Sequence, residues 1–402
     1  MKKKLLALAV AGAFVAPVAM ADTSNVNVYG LASVSFDSVS NGSGAADGTP
    51  STNYGKVSSN GSRIGFKGTE DLGGGTSAVW QIESAVAIDG NATSTLGTRN
   101  TFAGLSGDGW GSLVLGRNDS PYKTANRGLD LFADTIADNR TLMGGANGGT
   151  SAVGVAFDGR NTDSITYTSP NMSGFSLAAQ YSAAAAENAA PATLAVGAGQ
   201  KGDLWSLAGM YNVAPLYVSL AYEAHSNAVA AAVSQTKERA WRLGAAYKTD
   251  QFEANFAYES TSDDSGSKSA LTALVAACDA AAVAAGIVNT GADCAGHKAY
   301  TIAGKYNISG SDAVKLAYTK AKEFNFAGLG ANATDANQFS IGYDHNMSKR
   351  TTVYALYTKL NNNTNASYAL GNAGYATGVT AAASAAGGSD PSAISLGLKH
   401  VF

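Results

Sequence analysis

Phe252-Glu253-Ala254-Asn255-Phe256-Ala257-Tyr258-Glu259 alternates apolar with polar or small residues along its whole length. In a strand, successive side chains point to opposite faces, so one face here is aromatic and aliphatic and the other polar or charged. Trp241-Arg242-Leu243-Gly244-Ala245-Ala246-Tyr247-Lys248 repeats the pattern just upstream. Stretches of this kind, each of about ten residues, recur sixteen times from one end of the chain to the other. The alternation alone fits a soluble sandwich. The amount of charge on the polar face, and the signals at the two ends of the chain, argue against one.

The N-terminus has the form of an export signal. Lys2, Lys3 and Lys4 precede an apolar run from Leu5 to Val18, and Ala19-Met20-Ala21 fits a small-x-small cleavage site before Asp22. Residues 1–21 are therefore expected to be removed, leaving one pore domain over 22–402. The run is too short for a stable span. The Ala-rich stretch from Leu271 to Val288 carries Asp279 and few large apolar groups, so it reads as a loop rather than a spanning helix.

Glycine is abundant at 47 and proline scarce at 7, and no linker divides the chain, so a single large all-β unit is expected. The chain has 27 basic and 30 acidic residues; without the three signal lysines the mature part is net acidic by about six charges. No basic stripe points to nucleic acid. Cys278 and Cys294 both lie in the mature part, and an exported chain crosses an oxidising compartment, so this close pair is expected to form a disulfide. There is no CxxC motif and only His297 is nearby, which argues against a metal; no cofactor is expected.

Connections between strands alternate in length. Short ones fall at 68–75, 106–111, 169–174, 213–215, 249–251, 307–312 and 345–350 and hold turn residues such as Asp71-Leu72-Gly73-Gly74 and Ser309-Gly310. Long ones fall at about 37–60, 84–98, 118–161, 182–203, 224–238, 260–298, 321–337 and 361–392. Seven turns and eight loops join sixteen strands. The expected fold is a 16-stranded antiparallel transmembrane β-barrel with short periplasmic turns and long extracellular loops. Both termini then lie on the turn side, where the first strand can pair with the last and remove the sheet edges.

Leu216, Val218, Leu220 and Tyr222 would face lipid on the ninth strand, and Phe339, Ile341 and Tyr343 on the fourteenth. The opposite face carries Arg63, Lys67, Gln81, Glu83, Arg99, Gln180, Glu223, Arg242, Glu253, Asn255, Lys305, Lys315 and Asp344. A packed core would hold so many charges only at great cost, so the interior should be wet, and sixteen strands give room for an aqueous channel.

Several phrases sharpen this reading. They are Val28-Tyr29-Gly30, Ser62-Arg63-Ile64-Gly65-Phe66-Lys67-Gly68-Thr69-Glu70-Asp71-Leu72-Gly73, Arg99-Asn100-Thr101-Phe102-Ala103-Gly104-Leu105, Leu115-Gly116-Arg117, Tyr343-Asp344-His345-Asn346-Met347-Ser348-Lys349-Arg350-Thr351 and the ending Gly397-Leu398-Lys399-His400-Val401-Phe402. In this order and spacing they resemble the general diffusion porins of Gram-negative outer membranes. The resemblance implies an outer-membrane, multi-pass barrel that passes ions and small hydrophilic solutes by passive diffusion, with lipid and lipopolysaccharide around it. It implies a homotrimer, and small outward residues at Gly30, Ala32, Gly104 and Gly116 suit close approach of neighbouring walls. Phe402 resembles the family's assembly signal.

In such porins the third long loop folds into the barrel and opposes carboxylates to a fan of arginines. Here that loop is 118–161. The resemblance makes Asp130, Asp134 and Asp138 its candidate acids, Arg63, Arg99 and Arg160 the fan with Arg117 beside it, and Glu83 their neighbour. Leu31 stands where a further basic residue would fall. Opposed charges across a narrow aqueous gap create a transverse field that sorts solutes by charge. Lys305, Lys315 and Arg242 read as general lumen lining, and Lys123 and Arg127 as charges that would turn the loop basic. Rival classes are a solute-specific channel, an adhesin or receptor barrel, and an enzyme. The four histidines, His225, His297, His345 and His400, join no Ser or Asp in a recognisable catalytic order.

Overall fold

The computed structural model describes residues 25–42, 53–90, 96–144, 157–183, 203–227, 236–262, 296, 298–323, 334–364, 366, 368–371 and 388–402. The export segment 1–21 and both cysteines, Cys278 and Cys294, lie outside these residues. The strands are β1 (Asn25–Ser40), β2 (Asn53–Ser59), β3 (Arg63–Gly73), β4 (Thr76–Ala85), β5 (Thr101–Gly107) and β6 (Gly111–Asp119). They continue as β7 (Arg160–Thr168), β8 (Phe175–Ser182), β9 (Asp203–Val213), β10 (Leu216–Asn227), β11 (Thr236–Lys248) and β12 (Phe252–Ser262). The last are β13 (Lys298–Asn307), β14 (Asp312–Ala321), β15 (Ala336–Asn346), β16 (Thr351–Asn362) and β17 (Ser392–Val401).

Apart from β2 and β3, neighbours in sequence pair antiparallel, and β1 closes the sheet on β17 from Leu31↔Val401 to Ser40↔Ser392. β2 and β3 are two halves of one barrel strand, since both pair with β1, so the closed barrel has sixteen strands. The break at 60–62 is bridged by Ser62, whose hydroxyl donates to Ser33 O at 2.8 Å and accepts from Ser33 N at 2.9 Å. All seven expected turns are present. The first loop is shorter than the sequence suggested, because β1 runs to Ser40 and β2 resumes at Asn53.

The opening stretch behaves as its alternation requires. On β12, Phe252, Ala254 and Phe256 are exposed outward, while Asn255, Ala257 and Glu259 are buried inward. Phe36, Leu115, Leu220, Ile302 and Leu396 are each more than half exposed, on the outer surface. Large apolar side chains standing outward around a whole barrel do not suit water, which tolerates only limited contiguous apolar patches. They suit lipid.

Chain closure explains one glycine. Phe402 N donates to Gly30 O at 3.1 Å and Gly30 N to Phe402 O at 2.9 Å. A Cβ on Gly30 would lie 2.3 Å from Phe402 Cζ, so the terminal ring lies over that position. Gly116 has φ +138 beside a register shift between Gly116 and Asn118. These two of the four small residues assigned to subunit contact from the sequence thus have reasons inside the chain.

The interior is not uniformly wet. Phe132, Ile136, Leu142 and Met143 of the third loop form a buried apolar cluster with Val39, Leu360 and Leu370. Gly371 N donates to Ile136 O at 3.0 Å, tying the segment after β16 to the loop. The alternation of the strands carries no information about this cluster, because most of it is brought in by loops.

Candidate functional site in the barrel lumen

The third loop leaves β6 at Asp119 and returns at Arg160. It begins with a helix, α1 (Pro121–Arg127). Ser120 caps the helix by accepting from Lys123 N at 3.3 Å, and Pro121 needs no N–H partner in the first turn. The buried face of α1, with Tyr122 and Ala125, turns onto β9–β11. Gly244 of β11 makes room for it: a Cβ there would meet Asn126 Oδ1 at 2.4 Å and Leu129 Cδ1 at 2.5 Å. Asn255 Nδ2 donates to Leu129 O at 3.1 Å and extends the seam to β12.

On this side the charges are dry and paired. Arg242 donates to Asp158 Oδ1 at 2.9 Å and to Glu259 Oε2 at 2.8 Å, and its guanidinium lies 4.5 Å from the centre of the Tyr122 ring. Glu259 also accepts from Tyr122 OH at 2.7 Å and from Gly144 N at 2.8 Å. The side chains of Arg242 and Glu259 are 5% and 0% exposed. Ions this deep persist because both carboxylates share the one guanidinium and Glu259 takes two further donors, Tyr122 OH and Gly144 N. Phe157 stacks on His225 at 4.7 Å, and His225 Nε2 is 2.9 Å from Glu223 Oε1.

Inside the loop the candidate acids converge on Arg127. Its guanidinium lies 2.6 Å from Asp134, 2.7 Å from Asp138 and 3.6 Å from Asp130. Asp138 also pairs with Arg140 at 3.1 Å and caps the 3-10 turn Asn139–Thr141. Burial alone would raise its pKa, but the two arginines hold it well below the usual carboxylate range. The Asp138 side chain is fully buried and does not line the pore. Asp130 accepts from Phe132 N at 2.8 Å and Asn139 N at 3.0 Å. Burial and the neighbouring Asp138 push its carboxyl up to about 7. Of these three acids, Asp134 is the one within 4.0 Å of a wall arginine: it sits in the left-handed region at φ 59, and its carboxylate is 3.9 Å from Arg63. Lys123 and Arg127 do not make the loop basic, because Lys123 is held by Asp119 at 2.8 Å and Arg127 by the acids.

The arginine fan divides in two. Arg99 Nε donates to Glu83 Oε1 at 2.6 Å, Arg63 Nε is 4.0 Å from Glu83 Oε2, and Tyr29 OH donates to the same Oε2 at 2.9 Å. Arg160 is instead at the root of the loop, 3.1 Å from Asp119 Oδ1 and 2.7 Å from Asn100 Oδ1. Arg117 belongs with it, having Arg160 and Asp119 among its electrostatic neighbours. Leu31 is inward and buried.

A cavity of about 300 Å³ opens between the loop and the wall of β13–β17 and β1. Asp130, Asp134 and Asp344 face it, and so do Lys305, Lys315, Lys349, Arg350 and Lys399. Lys315 pairs with Asp344 at 2.9 Å and lies 5.0 Å from the Phe132 ring. Lys399 was missed from the sequence. Its parity with Gly397 and Ser395 marks it as inward, but only the barrel register shows that it shares a cavity with Lys305 and Lys315.

Comparison with known proteins agrees with this geometry. The model of the Gram-negative porin family matches residues 7–366. An outer membrane porin protein of Bordetella pertussis is 29% identical over 378 residues, covering 88% of this chain and 93% of the relative. The major outer membrane protein P.IA of Neisseria meningitidis serogroup C is 36% identical over 129 residues, 31% of this chain and 30% of that protein. The matches to neisserial major outer membrane proteins span between 29% and 48% of those proteins' length. Among solved structures, the anion-selective porin from Comamonas acidovorans superposes with a TM-score of 0.71 at 25% identity, over 94% of this chain and all of that one. Salmonella typhi OmpF, in complex with daunomycin, shares the fold at a TM-score of 0.58 and 16% identity, over 95% of this chain and 98% of that one.

Proposed function

The chain belongs to the Gram-negative porins, and on that premise we propose that it is a water-filled outer-membrane channel for passive diffusion of ions and small hydrophilic solutes, with a weak preference for anions. Family and fold are those of a channel rather than of an enzyme. The observation that carries the charge preference is the approach of Arg63 to Asp134 at 3.9 Å across the lumen. Arg63 and Arg99 form the basic side with Glu83 between them, and Arg160 and Arg117 support the root of the loop. Arg127 and Arg140 draw on the loop's acids, with Asp138 fully buried between them, which weakens the acidic side facing Arg63 and Arg99. The net acidity of the whole chain matters little, because charges farther than roughly 8–10 Å are screened at physiological salt.

The channel works as a homotrimer in contact with outer-membrane lipid and lipopolysaccharide. The family supports this, and so does an apolar groove on the outer wall lined by Val34, Phe36, Val57, Leu396 and Leu398. Reconstitution into a planar bilayer should give large, reproducible conductance steps, and liposomes carrying the protein should swell in uncharged sugars up to a sharp size limit. A folded protein that gives neither steps nor swelling would refute the channel.

A further inference from the structure

We propose that Lys305, Lys315 and Lys399 form a subsite for small dianionic solutes, with inorganic phosphate as the simplest example, in the cavity beside the third loop. The inference rests on the channel reading. Lys305 and Lys315 are direct register partners on β13 and β14, both turned inward. Like charges directly opposite in an antiparallel pair are destabilising unless something compensates them. Lys315 has Asp344 at 2.9 Å. Lys305 and Lys399 have no carboxylate within 4.0 Å among the described residues. Glu253, the register partner of Lys305 on β12, is occupied by Lys248 at 3.5 Å and by Asn255 at 2.9 Å.

The acids that face the cavity do not supply the missing charge. Asp134 is held by Arg127 at 2.6 Å, and Asp130 has Arg127 at 3.6 Å and accepts from Phe132 N and Asn139 N. Lys399 has Asp134, Arg63, Lys315 and Asp344 among its electrostatic neighbours, so it stands where the arginine side and the cavity meet. A space of about 300 Å³ holds a small hydrated oxyanion. An ammonium is a compact charge with three rotatable donors, which suits a tetrahedral oxyanion that can accept from two lysines at once. A monoanion such as chloride neutralises only one.

The test is single-channel recording in potassium chloride at about pH 8, where phosphate groups are largely dianionic, with rising inorganic phosphate. Phosphate should reduce the chloride current. In Lys305→Gln/Lys399→Gln the half-blocking concentration should rise about tenfold or more, the loss expected for removing charge-assisted hydrogen bonds. Lys67→Gln, a lumenal lysine outside the cavity, should keep the original half-blocking concentration. If the double variant fails to assemble, either single variant should still weaken the block. An unchanged half-blocking concentration in the lysine variants, or no phosphate block in a conducting unmodified channel, overturns the subsite. Absence of steps from the unmodified protein would instead remove the channel reading beneath it.

Discussion

The two sides of the lumen use the same kind of inward residue for opposite ends. Against β9–β12, Arg242, Asp158 and Glu259 are sealed under Tyr122 and Gly144, and every charge has a partner within 3 Å. Against β13–β17, Lys305, Lys315 and Lys399 face open space, and among the described residues only Lys315 of the three has a carboxylate within 4.0 Å. The difference is made by one loop. Where it presses on the wall, charges become anchors; where it stands away, they become the lining of a pore. An inward charge in a barrel therefore says little by itself about ion selection until the position of the loop is known.

Arg242→Met should break this contrast most severely. It leaves Asp158 and Glu259 buried without a cation, and breaking a buried pair in this way costs about 3–5 kcal/mol. The loop should leave the wall, giving noisy, flickering steps and faster proteolysis between 119 and 160 in an otherwise intact barrel. Quiet steps of unchanged size would mean that the buried cluster does not hold the loop. Gly244→Val attacks the same seam sterically, since even its Cβ would meet Asn126 and Leu129. Overpacking of this kind costs about 1–3 kcal/mol. The expected result is a smaller and noisier step, and a step like that of the unmodified protein would show that the loop can yield there.

Asp130 sharpens the comparison through pH. Its folded pKa is raised to about 7, above the unfolded value of about 3.9. Its contribution to stability is therefore complete below about pH 4 and is lost as pH rises through about 7. In the pore the same titration adds negative charge to the cavity rim. The zero-current potential should drift toward cations between about pH 6 and 8. Asp130→Asn should remove the drift, and a drift that survives it would have to come from another group. The smallest effect is expected from Cys278→Ser/Cys294→Ser. We propose that these residues form a disulfide in a loop away from the lumen, so conductance and assembly should be nearly unchanged. Loss of the barrel would contradict that placement.

Strand number, turn positions and the two faces were legible because a period of two is written in the residues themselves, as on β12. The break of the second strand at 60–62 was not, since Ser62 replaces regular pairing through a hydroxyl that has no periodic signature. Arg63 and Arg99 were legible as inward residues, but the grouping of the four candidate arginines was not. Arg160 joins Asp119 and Arg99 joins Glu83 because of barrel register, which alternation leaves undetermined. The convergence of Asp130, Asp134 and Asp138 on Arg127 depends on loop geometry, where no period operates. Lys399 carried one usable sign, its parity with the inward residues of the last strand. The apolar cluster around Phe132 and Ile136 had none, because loops bring most of it together.

The central claim is that the basic wall formed by Arg63 on β3 and Arg99 just before β5 sets the charge preference. The most direct test is the zero-current potential across a potassium chloride gradient, for the unmodified channel and for Arg63→Gln/Arg99→Gln. The unmodified channel should show a weak anion preference, and the double variant should move toward cations while its step grows. An unmodified channel that prefers cations, or a double variant with an unmoved potential, would contradict it and shift the selective role to Glu83, Asp134 and Asp130.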